Sequence, residues 1–291
     1  TYVRPLPELV EEKTQRIHTQ YMQAVAATGR LSSTQPNLQN IPIRTLRGRE
    51  IRKAFVPRDD NHVLLAADYS QVELRIVAAL SGDRGLCQAF LDGADIHTAT
   101  AAKVFGISPD EVDRGQRSQA KAVNFGILYG QGAFGLAETL KIPRREAKSI
   151  IEAYFTEFPD LKAYQTQVVE TAKEKGYVET VLGRKRWLPD ITSANAVVRG
   201  FAERNAVNAP IQGSAADIIK VAMVRIQKAI RAEELDARMI LQVHDELVFD
   251  VPKTEAEALS KLVKTHMEEA VKLSVPLEVE IQTGTNWLEA H

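Results

Sequence analysis

The chain has 291 residues, of which 44% are apolar and 26% charged, and its formal net charge is only -1. This balance of charge speaks against a protein that wraps nucleic acid through a generally cationic surface, although it allows a local basic groove. Cys87 is the only cysteine, which excludes an internal disulfide and a cysteine-based zinc site, and no apolar run approaches the ~18 residues that span a bilayer.

Two segments concentrate positive charge along the chain. They are the group Arg44, Arg47, Arg49, Arg52 and Lys53 and the triplet Arg184-Lys185-Arg186. Phosphate binding depends on where lysines and arginines lie rather than on total charge, so either segment is a candidate DNA contact. Taken alone, each run of charge favours an ordinary solvated face over a DNA contact.

The first half of the chain predicts one strand followed by a series of helices. Residues 1–60 are irregular and polar, and the apolar run 63–67 then predicts a buried strand that ends at Asp68. Helical spacing follows from Val72 to about Ala102, with a break near Gly82. Four further helices are predicted. The first begins at a capping box of Ser108 and Glu111, and the others cover 116–130, Pro143 to Phe158, and Asp160 to Lys175.

The second half of the chain returns to strands. The predicted elements are a hairpin over 177–188, a helix over 199–232 interrupted at Asn208-Ala209-Pro210, strands at 239–243 and 247–251, a helix capped by Thr254 and Glu257, and a strand at 277–281. Strands therefore cluster at both ends and the middle is nearly all helical. This order predicts an α+β fold, a sheet-based domain that carries a helical insertion over roughly residues 80–198.

Carboxylates stand at the ends of apolar strands in two places. Asp68 follows the first strand, and Asp245 lies in the turn between the two strands near the C-terminus. An acid beside so much apolar sequence costs free energy unless it is paired or binds a cation. If these strands share one sheet, both carboxylates converge at one edge, where two Mg²⁺ ions about 3.5–4 Å apart would fit. The alternative, a helix N-cap at Asp68 and a simple turn residue at Asp245, is not decided by spacing.

One predicted helix carries two cations followed by two aromatic residues at intervals of four: Arg117, Lys121, Phe125 and Tyr129. Each step drifts about 40° around the helix axis, so all four lie on one broad face. Such a stripe suits a nucleoside triphosphate, with cations at the phosphates and aromatic rings at the sugar and base. The alternative is an amphipathic helix whose aromatic residues are core and whose cations are solvated.

Three runs of consecutive residues resemble the sequence motifs of the family A DNA polymerases, to which bacterial DNA polymerases I belong. Asp68-Tyr69-Ser70-Gln71-Val72-Glu73-Leu74-Arg75 resembles motif A, and Gln242-Val243-His244-Asp245-Glu246-Leu247 resembles motif C. The run from Arg117 to Gly130, RSQAKAVNFGILYG, resembles motif B. The resemblance extends from about Tyr2 to Trp287 and implies template-directed DNA synthesis from deoxynucleoside triphosphates on a primed DNA template.

The resemblance implies a right-hand polymerase fold: a palm, built as an antiparallel sheet with helices, and a mostly helical fingers subdomain. The implied boundaries are 1–79 for the first part of the palm, 80–198 for the fingers, and 199–291 for the second part of the palm with the metal-site hairpin. Family members carry a thumb and an exonuclease-like domain ahead of this region. Without them, we expect weak DNA binding, and a start that lacks Met suggests an excised piece.

The resemblance also assigns roles at the metal and nucleotide sites. Asp68 and Asp245 are implied as catalytic ligands of two Mg²⁺ ions, which Mn²⁺ could replace, with the Tyr69 carbonyl as a further ligand and Glu246 as an auxiliary carboxylate. The residues implied to bind the nucleotide are Arg117, Lys121, Phe125, Tyr129, His97, Gln71 and Glu73. Among these, Lys121 is the candidate general acid for pyrophosphate, and Glu73 fills the space that a ribose 2′-hydroxyl would need.

Polar residues outside these motifs match family positions that contact the primer–template. They are Arg30, Asn37, Asn40, Arg204, Asn208, Gln212 and His244. Donors in the minor groove can check base-pair geometry without reading sequence, because correctly paired bases present common acceptors there. Each residue is also consistent with an ordinary loop or cap position.

Two other functions compete with a DNA polymerase. A single-subunit RNA polymerase also uses two aspartates and a helix with Lys and Tyr, but Glu73 and the long motif A argue against it. A non-catalytic DNA-binding fragment is the other, although every expected catalytic residue is present. The expected location is the bacterial cytoplasm, in association with the nucleoid and with no membrane contact.

Overall fold

The structure is a computed structural model that describes residues 2–43 and 45–291. Thr1 and Arg44, the latter one of the predicted basic residues, lie outside the described residues. The chain divides into two compact units. Unit 1 contains Thr1–Val72, Ala215–Lys272 and Leu277–His291, and unit 2 contains Glu73–Ser214 and Leu273–Pro276.

The described residues are mostly helical. The helices are α1 Pro5–Glu8, α2 Leu46–Glu50, α3 Val72–Ser81, α4 Arg84–Leu91, α5 Ile96–Phe105, α6 Arg114–Leu128, α7 Ala133–Leu140, α8 Arg144–Glu157, α9 Pro159–Lys175, α10 Ala196–Ala232 and α11 Ala256–Glu268. The strands are β1 Gln20–Met22, β2 Ser32–Thr34, β3 His62–Tyr69, β4 Tyr177–Glu179, β5 Lys185–Trp187, β6 Arg238–Val243, β7 Glu246–Pro252 and β8 Val279–Gly284. Helices and an antiparallel sheet confirm the predicted α+β class.

Unit 1 is organised around a four-stranded sheet with the order β6-β7-β3-β8, in which all neighbours are antiparallel. The apolar run in β3 has no polar alternation, which is typical of a strand covered on both faces. Leu64, Leu65, Ala66 and Ala67 are indeed all buried, although successive side chains point to opposite faces. Helix α11 contacts β3, β7 and β8. The sheet is thus a buried platform on which the ends of β3 and β7 are fixed.

Unit 2 is a helical assembly with one short hairpin, β4–β5. Its buried residues include Leu86, Ile96, Val123 and Leu161, from four different helices. Asp83, which is 1% exposed, accepts hydrogen bonds from the backbone N–H groups of Leu86, Asp160 and Leu161. One buried carboxylate therefore satisfies orphan donors at the starts of both α4 and α9.

Some predicted helix boundaries were wrong. Helix α10 runs unbroken through Pro210, where an interruption was predicted. Ala206, Ala209 and Ile211 around this proline are buried, and their burial outweighs the hydrogen bond that proline cannot donate. The capping box of Ser108 and Glu111 is present, but it opens only a single 3-10 turn, Pro109–Glu111.

Three smaller features also differ from the prediction. The last long helix begins at Ala256 without a side-chain cap from Thr254, and its N-cap is Glu255. The last strand lies at Val279–Gly284, later than predicted, because its register is set by pairing with β3. Residues 1–60 contain a small antiparallel pair, β1–β2, which their polar composition did not reveal.

A membrane-crossing segment is not found in the described part of the chain, since none of its helices combines the necessary length with sufficient apolar character.

Candidate functional site

The sheet of unit 1 brings the two strand-end aspartates together. Asp68 lies opposite Glu246 in the β3–β7 register, and Asp245 directly precedes Glu246. The backbone N–H of Tyr69 donates to the carbonyl oxygen of Asp245 at 3.3 Å, which ties the two segments to each other. Residues 244 and 245 form the turn between the paired residues Val243 and Glu246, and His244 has a φ of 54°. A positive φ at the first position is typical of a two-residue hairpin turn.

The electrostatics of this pair are unfavourable without a cation. Burial is the main cause that raises the pKa of Asp68 to about 7, and the carboxylates of Asp245 and Glu246 raise it further, while His291 opposes the shift. Burial also raises the pKa of Asp245, against the opposing positive charge of Arg30. Two neighbouring acids that both resist ionisation mark a place where a bound cation would be stabilised.

Glu246 is 3% exposed and is engaged by neighbouring side chains. The indole Nε1 of Trp287 donates to its Oε1 at 3.0 Å, and Nδ1 of His291 lies 3.3 Å from the same oxygen. Its other oxygen is 3.9 Å from the guanidinium of Arg52, which stacks on Trp287 with 4.1 Å from Cζ to the ring centroid. The carboxylate is thus held beside Asp68 by residues from two other parts of the chain, Arg52 near the N-terminus and the pair Trp287 and His291 near the C-terminus.

A pocket of unit 1 opens beside Asp245. Its lining residues are Arg30, Leu31, Ala215, Ala216, Ile219, Lys220, Gln242, His244 and Asp245. Gln242 is fixed by the amide of Gln39, whose Nε2 donates to its Oε1 at 2.9 Å, and by the hydroxyl of Tyr21. Arg30 and His244, both predicted to contact DNA, thus line this pocket together with Gln242, a residue of motif C to which the sequence analysis assigned no role.

The other residues of unit 1 with a predicted role lie on loops. Asn37 is half-buried and accepts a hydrogen bond from the backbone N–H of Gln39, and Asn40 is exposed. Gln71, between β3 and α3, has a φ of 53° and a buried Oε1 without a hydrogen-bond partner. The local hydrogen bond of Asn37 shows its structural role in the loop, and Asn40 has its side chain available to a ligand.

Unit 2 presents the predicted stripe on α6. Arg117 and Lys121 are exposed, and Phe125 and Tyr129 are half-buried. The rings of Phe125 and Tyr129 are 6.1 Å apart, and the ring of His97 is 6.1 Å from Phe125. The stripe therefore has its cations toward the N-terminal end and its aromatic rings toward the C-terminal end, and the buried ring of His97 lies next to Phe125.

Acidic residues border both ends of this stripe. Nε of Arg117 donates to Asp95 at 2.5 Å, and this ion pair, together with hydrogen bonds from Thr98 and the backbone of His97, lowers the pKa of Asp95 to about 2 against the effect of burial. At the other end, the hydroxyl of Tyr129 donates to the carboxylate of Glu73. Glu73 is 5% exposed, so the pair closes the aromatic end of the stripe.

Three of the residues predicted to contact DNA share one face of α10. Arg204, Asn208 and Gln212 follow one another at intervals of four, and Arg204 is exposed whereas the other two are half-buried. Oδ1 of Asn208 is buried without a hydrogen-bond partner. An unsatisfied buried acceptor on this face is consistent with a ligand or water that completes it.

Among the residues that the structure describes, no group of three or more His, Cys, Asp or Glu side chains is arranged to hold a metal ion. The acidic edge of unit 1 thus offers two neighbouring aspartates rather than a complete ligand cage. A family model described as DNA polymerase family A matches residues 1–289.

The chain belongs to DNA polymerase family A.

Other members of DNA polymerase family A are closely similar. DNA polymerase I of Bacillus caldotenax is 53% identical over 290 residues, which are 100% of this chain and 33% of that protein. DNA polymerase I of Streptococcus pneumoniae serotype 4 is 56% identical over 276 residues, 94% of this chain and 32% of that protein. The chain therefore spans about a third of the length of these curated relatives.

A solved structure of a family member shows the same fold. It is the POL domain of Pol1 from M. smegmatis in complex with DNA primer-template and dNTP. It superposes with a TM-score of 0.95 at 51% identity, over 98% of this chain and 50% of that one. The predicted resemblance to the family is confirmed.

Proposed function

We propose that this chain carries the nucleotidyl-transfer site of a DNA polymerase, which adds deoxynucleotides to a primer 3′-hydroxyl under the direction of a DNA template and releases pyrophosphate. The observation that carries this proposal is the pair Asp68 and Asp245, which neighbouring antiparallel strands hold together. Burial raises the pKa of both, and repulsion by Asp245 raises that of Asp68 further. Family membership supports it.

The acidic edge fits Mg²⁺. This ion prefers one or two carboxylates and completes its octahedron with water and substrate phosphate oxygens, so a pair of aspartates is a suitable protein contribution. Asp68 and Asp245 would hold two ions, with the Tyr69 carbonyl as a further ligand, and Mn²⁺ is the expected substitute. When bound, the ions lower the pKa of the primer hydroxyl and neutralise the leaving pyrophosphate.

Glu246 contributes to this edge through its negative charge. Its carboxylate accepts from Trp287 and contacts His291, so its position is fixed whether or not a cation is present. A fixed acid beside Asp68 keeps the local potential negative, which favours cation binding. We propose that Glu246 acts chiefly as this auxiliary charge.

The stripe on unit 2 supplies the nucleotide contacts. Arg117 and Lys121 are exposed cations on one helix face and meet the triphosphate, and Lys121 gives a proton to the departing pyrophosphate. The ring of Phe125 packs on the incoming sugar, and Tyr129 borders the insertion slot. Glu73, which accepts from the Tyr129 hydroxyl, blocks the space of a ribose 2′-hydroxyl and so selects deoxynucleotides.

The remaining polar residues hold the primer–template. Arg30 and His244 line the pocket beside Asp245, and Arg204, Asn208 and Gln212 present one polar face of α10. These donors suit the minor-groove and backbone oxygens of a duplex, as do those of the two loop asparagines, Asn37 and Asn40. The similar POL domain is in complex with DNA primer-template and dNTP, which supports both partners.

We assign unit 1 to the palm and unit 2 to the fingers of the polymerase. The 291 residues correspond to about a third of the related polymerases. Tested by themselves, they lack the surface that the rest of such a protein would offer to a duplex. We therefore propose that this piece alone binds DNA weakly and extends a primer with low processivity.

Primer extension tests the proposal. The chain is mixed at high concentration and low salt with a primed DNA template and Mg²⁺, and extension by deoxynucleotides is compared with extension by ribonucleotides. We expect deoxynucleotide addition that EDTA abolishes and that Mn²⁺ restores. Extension by ribonucleotides only would indicate an RNA polymerase, and DNA binding without any extension would indicate a non-catalytic DNA-binding fragment.

Substitution of the acidic pair makes the test specific. Asp68→Ala or Asp245→Ala should lower the rate by at least about 10³-fold, since metal-ion catalysis contributes several kcal/mol to transition-state stabilisation. The matched control is Asp60→Asn, because Asp60 is an exposed aspartate of the same unit. A variant of the pair that keeps most of the wild-type rate would remove that residue from the metal site.

A further inference from the structure

His97 is connected to two polar residues in the interior of unit 2. Nδ2 of Asn124 lies 3.0 Å from Nδ1 of His97, and the hydroxyl of Thr100 donates to Oδ1 of the same asparagine at 3.0 Å. The three residues are 3%, 1% and 0% exposed for His97, Thr100 and Asn124, respectively. They form a short, buried chain of hydrogen bonds.

The orientation of the Asn124 carboxamide sets the direction of each hydrogen bond. The carboxamide oxygen only accepts and its nitrogen only donates, so the bond from Thr100 to Oδ1 turns the NH₂ group of Asn124 toward His97. Nδ1 of His97 must then accept, and a neutral imidazole that accepts through Nδ1 carries its proton on Nε2. Within the described residues, Nε2 has no hydrogen-bond partner.

We infer that Asn124, oriented by Thr100, is a positioning residue that holds His97 in the neutral Nε2–H tautomer. The N–H group on Nε2 then donates a hydrogen bond to a ligand oxyanion. This inference rests on the proposed function for the identity of the ligand, which is a phosphate of the incoming nucleotide. The cations Arg117 and Lys121 supply charge to the same ligand, and His97 supplies a directed neutral donor.

The charged groups around His97 allow this role. Asp95 favours a protonated ring, whereas Arg117 and Lys121 disfavour it, and burial disfavours it most, so the pKa of His97 falls to about 4. Asp95 is itself committed to Arg117, Thr98 and the backbone N–H of His97. The ring therefore stays neutral at physiological pH, and the donor on Nε2 is present over the whole neutral range.

The tautomer can be measured without substrate. In the ¹⁵N-histidine-labelled 291-residue chain, two-bond ¹H–¹⁵N correlations distinguish the protonated from the unprotonated ring nitrogen, and the His97→Gln variant assigns the signal. We expect a neutral ring with the proton on Nε2 and no titration of His97 above pH 5. A proton found on Nδ1 would mean that the Asn124 amide has the opposite orientation and would overturn the inference.

Isosteric variants test the cause. Asn124→Asp keeps the shape of the side chain, but its carboxylate accepts a hydrogen bond from a protonated Nδ1. The titration midpoint of His97 should therefore move upward by roughly two pH units, about a 100-fold change in proton affinity. Thr100→Val removes the hydroxyl that orients the amide and should populate the Nδ1–H tautomer. Asn195→Asp, at an exposed helix N-cap of the same unit, is the control and should leave His97 unchanged. An Asn124→Asp variant in which His97 titrates as in the wild type, or a Thr100→Val variant that keeps the wild-type tautomer, would refute the positioning role.

The kinetic readout separates this inference from the proposed function. In primer extension by the Asn124→Asp variant, the KM for deoxynucleotides should depend on pH, with a midpoint at the new titration midpoint of His97. The KM of the wild type should not change around that pH. Altered tautomers without this change in KM would show that His97 does not face the nucleotide, which overturns the assigned ligand. A chain that never extends primers would refute the proposed function, while the magnetic resonance result would still decide the tautomer.

Discussion

Removing the carboxylate of Asp68 should stabilise the metal-free chain, and increasingly so as the pH rises. Asp68 has a pKa of about 7 in the folded chain, compared with its usual value of 3.8. Because the folded state holds this proton more tightly than the unfolded state, stability is highest below the usual pKa and is lost as the pH rises toward and through 7. Asp68→Asn is neutral at every pH and escapes this loss.

The magnitude follows from the two pKa values. The pKa of this carboxyl group is 3.8 in the unfolded chain and about 7 in the folded chain. Its ionisation therefore lowers the free energy of unfolding by about 2–3 kcal/mol between pH 5 and pH 8. The advantage of Asp68→Asn over the wild type should grow by about this amount across the same interval.

Urea denaturation in EDTA at pH 5, 6, 7 and 8 measures this difference. The free energy of unfolding is compared between the wild type, Asp68→Asn and the control Asp60→Asn, which alters an exposed aspartate of the same unit. A difference between Asp68→Asn and the wild type that stays flat from pH 5 to pH 8 would refute the reasoning, because the carboxyl group would then ionise normally in the folded chain.

Three further predictions follow from the same structure. Mg²⁺ at about 100 times its Kd should stabilise the wild type at pH 8 by about 2.7 kcal/mol but not Asp68→Asn, as thermal denaturation would show. Trp287→Phe removes the donor to Glu246 and should cost about 1–3 kcal/mol in urea denaturation, against little for the exposed Trp187→Phe; equal costs would contradict this. Lys121→Ala should lower the single-turnover extension rate by about 10²–10⁴-fold, and an unchanged rate would exclude general acid catalysis.

Secondary structure was largely predictable because its signals are local. The apolar run of β3, the caps and breakers around α8 and α9, and the turn at Asp245 all act over a few neighbouring residues. Pro210 shows the limit of such signals. The sequence predicts an interruption there, and the buried side chains on either side keep α10 continuous.

The candidate site was predictable in its residue types and only partly in its contacts. Motif spacing indicated a basic and aromatic stripe on α6, and the structure places Arg117, Lys121, Phe125 and Tyr129 along it. The ion pair of Arg117 with Asp95 and the hydrogen bond of Tyr129 with Glu73 were not predictable, because both join different helices. The assignment of palm and fingers and the role of each site residue stay predictions.

The sequence by itself determined which acids stand at the ends of apolar strands and which family the motifs belong to, since both depend on consecutive residues. Only the tertiary structure decided what these side chains face. Glu246 is fixed by Arg52, Trp287 and His291, and Nδ1 of His97 lies 3.0 Å from the amide nitrogen of Asn124, 27 residues away. Whether such a hydrogen bond forms depends on differences of a few tenths of an ångström, roughly, in the distance between groups far apart in the chain, and no local pattern encodes these distances.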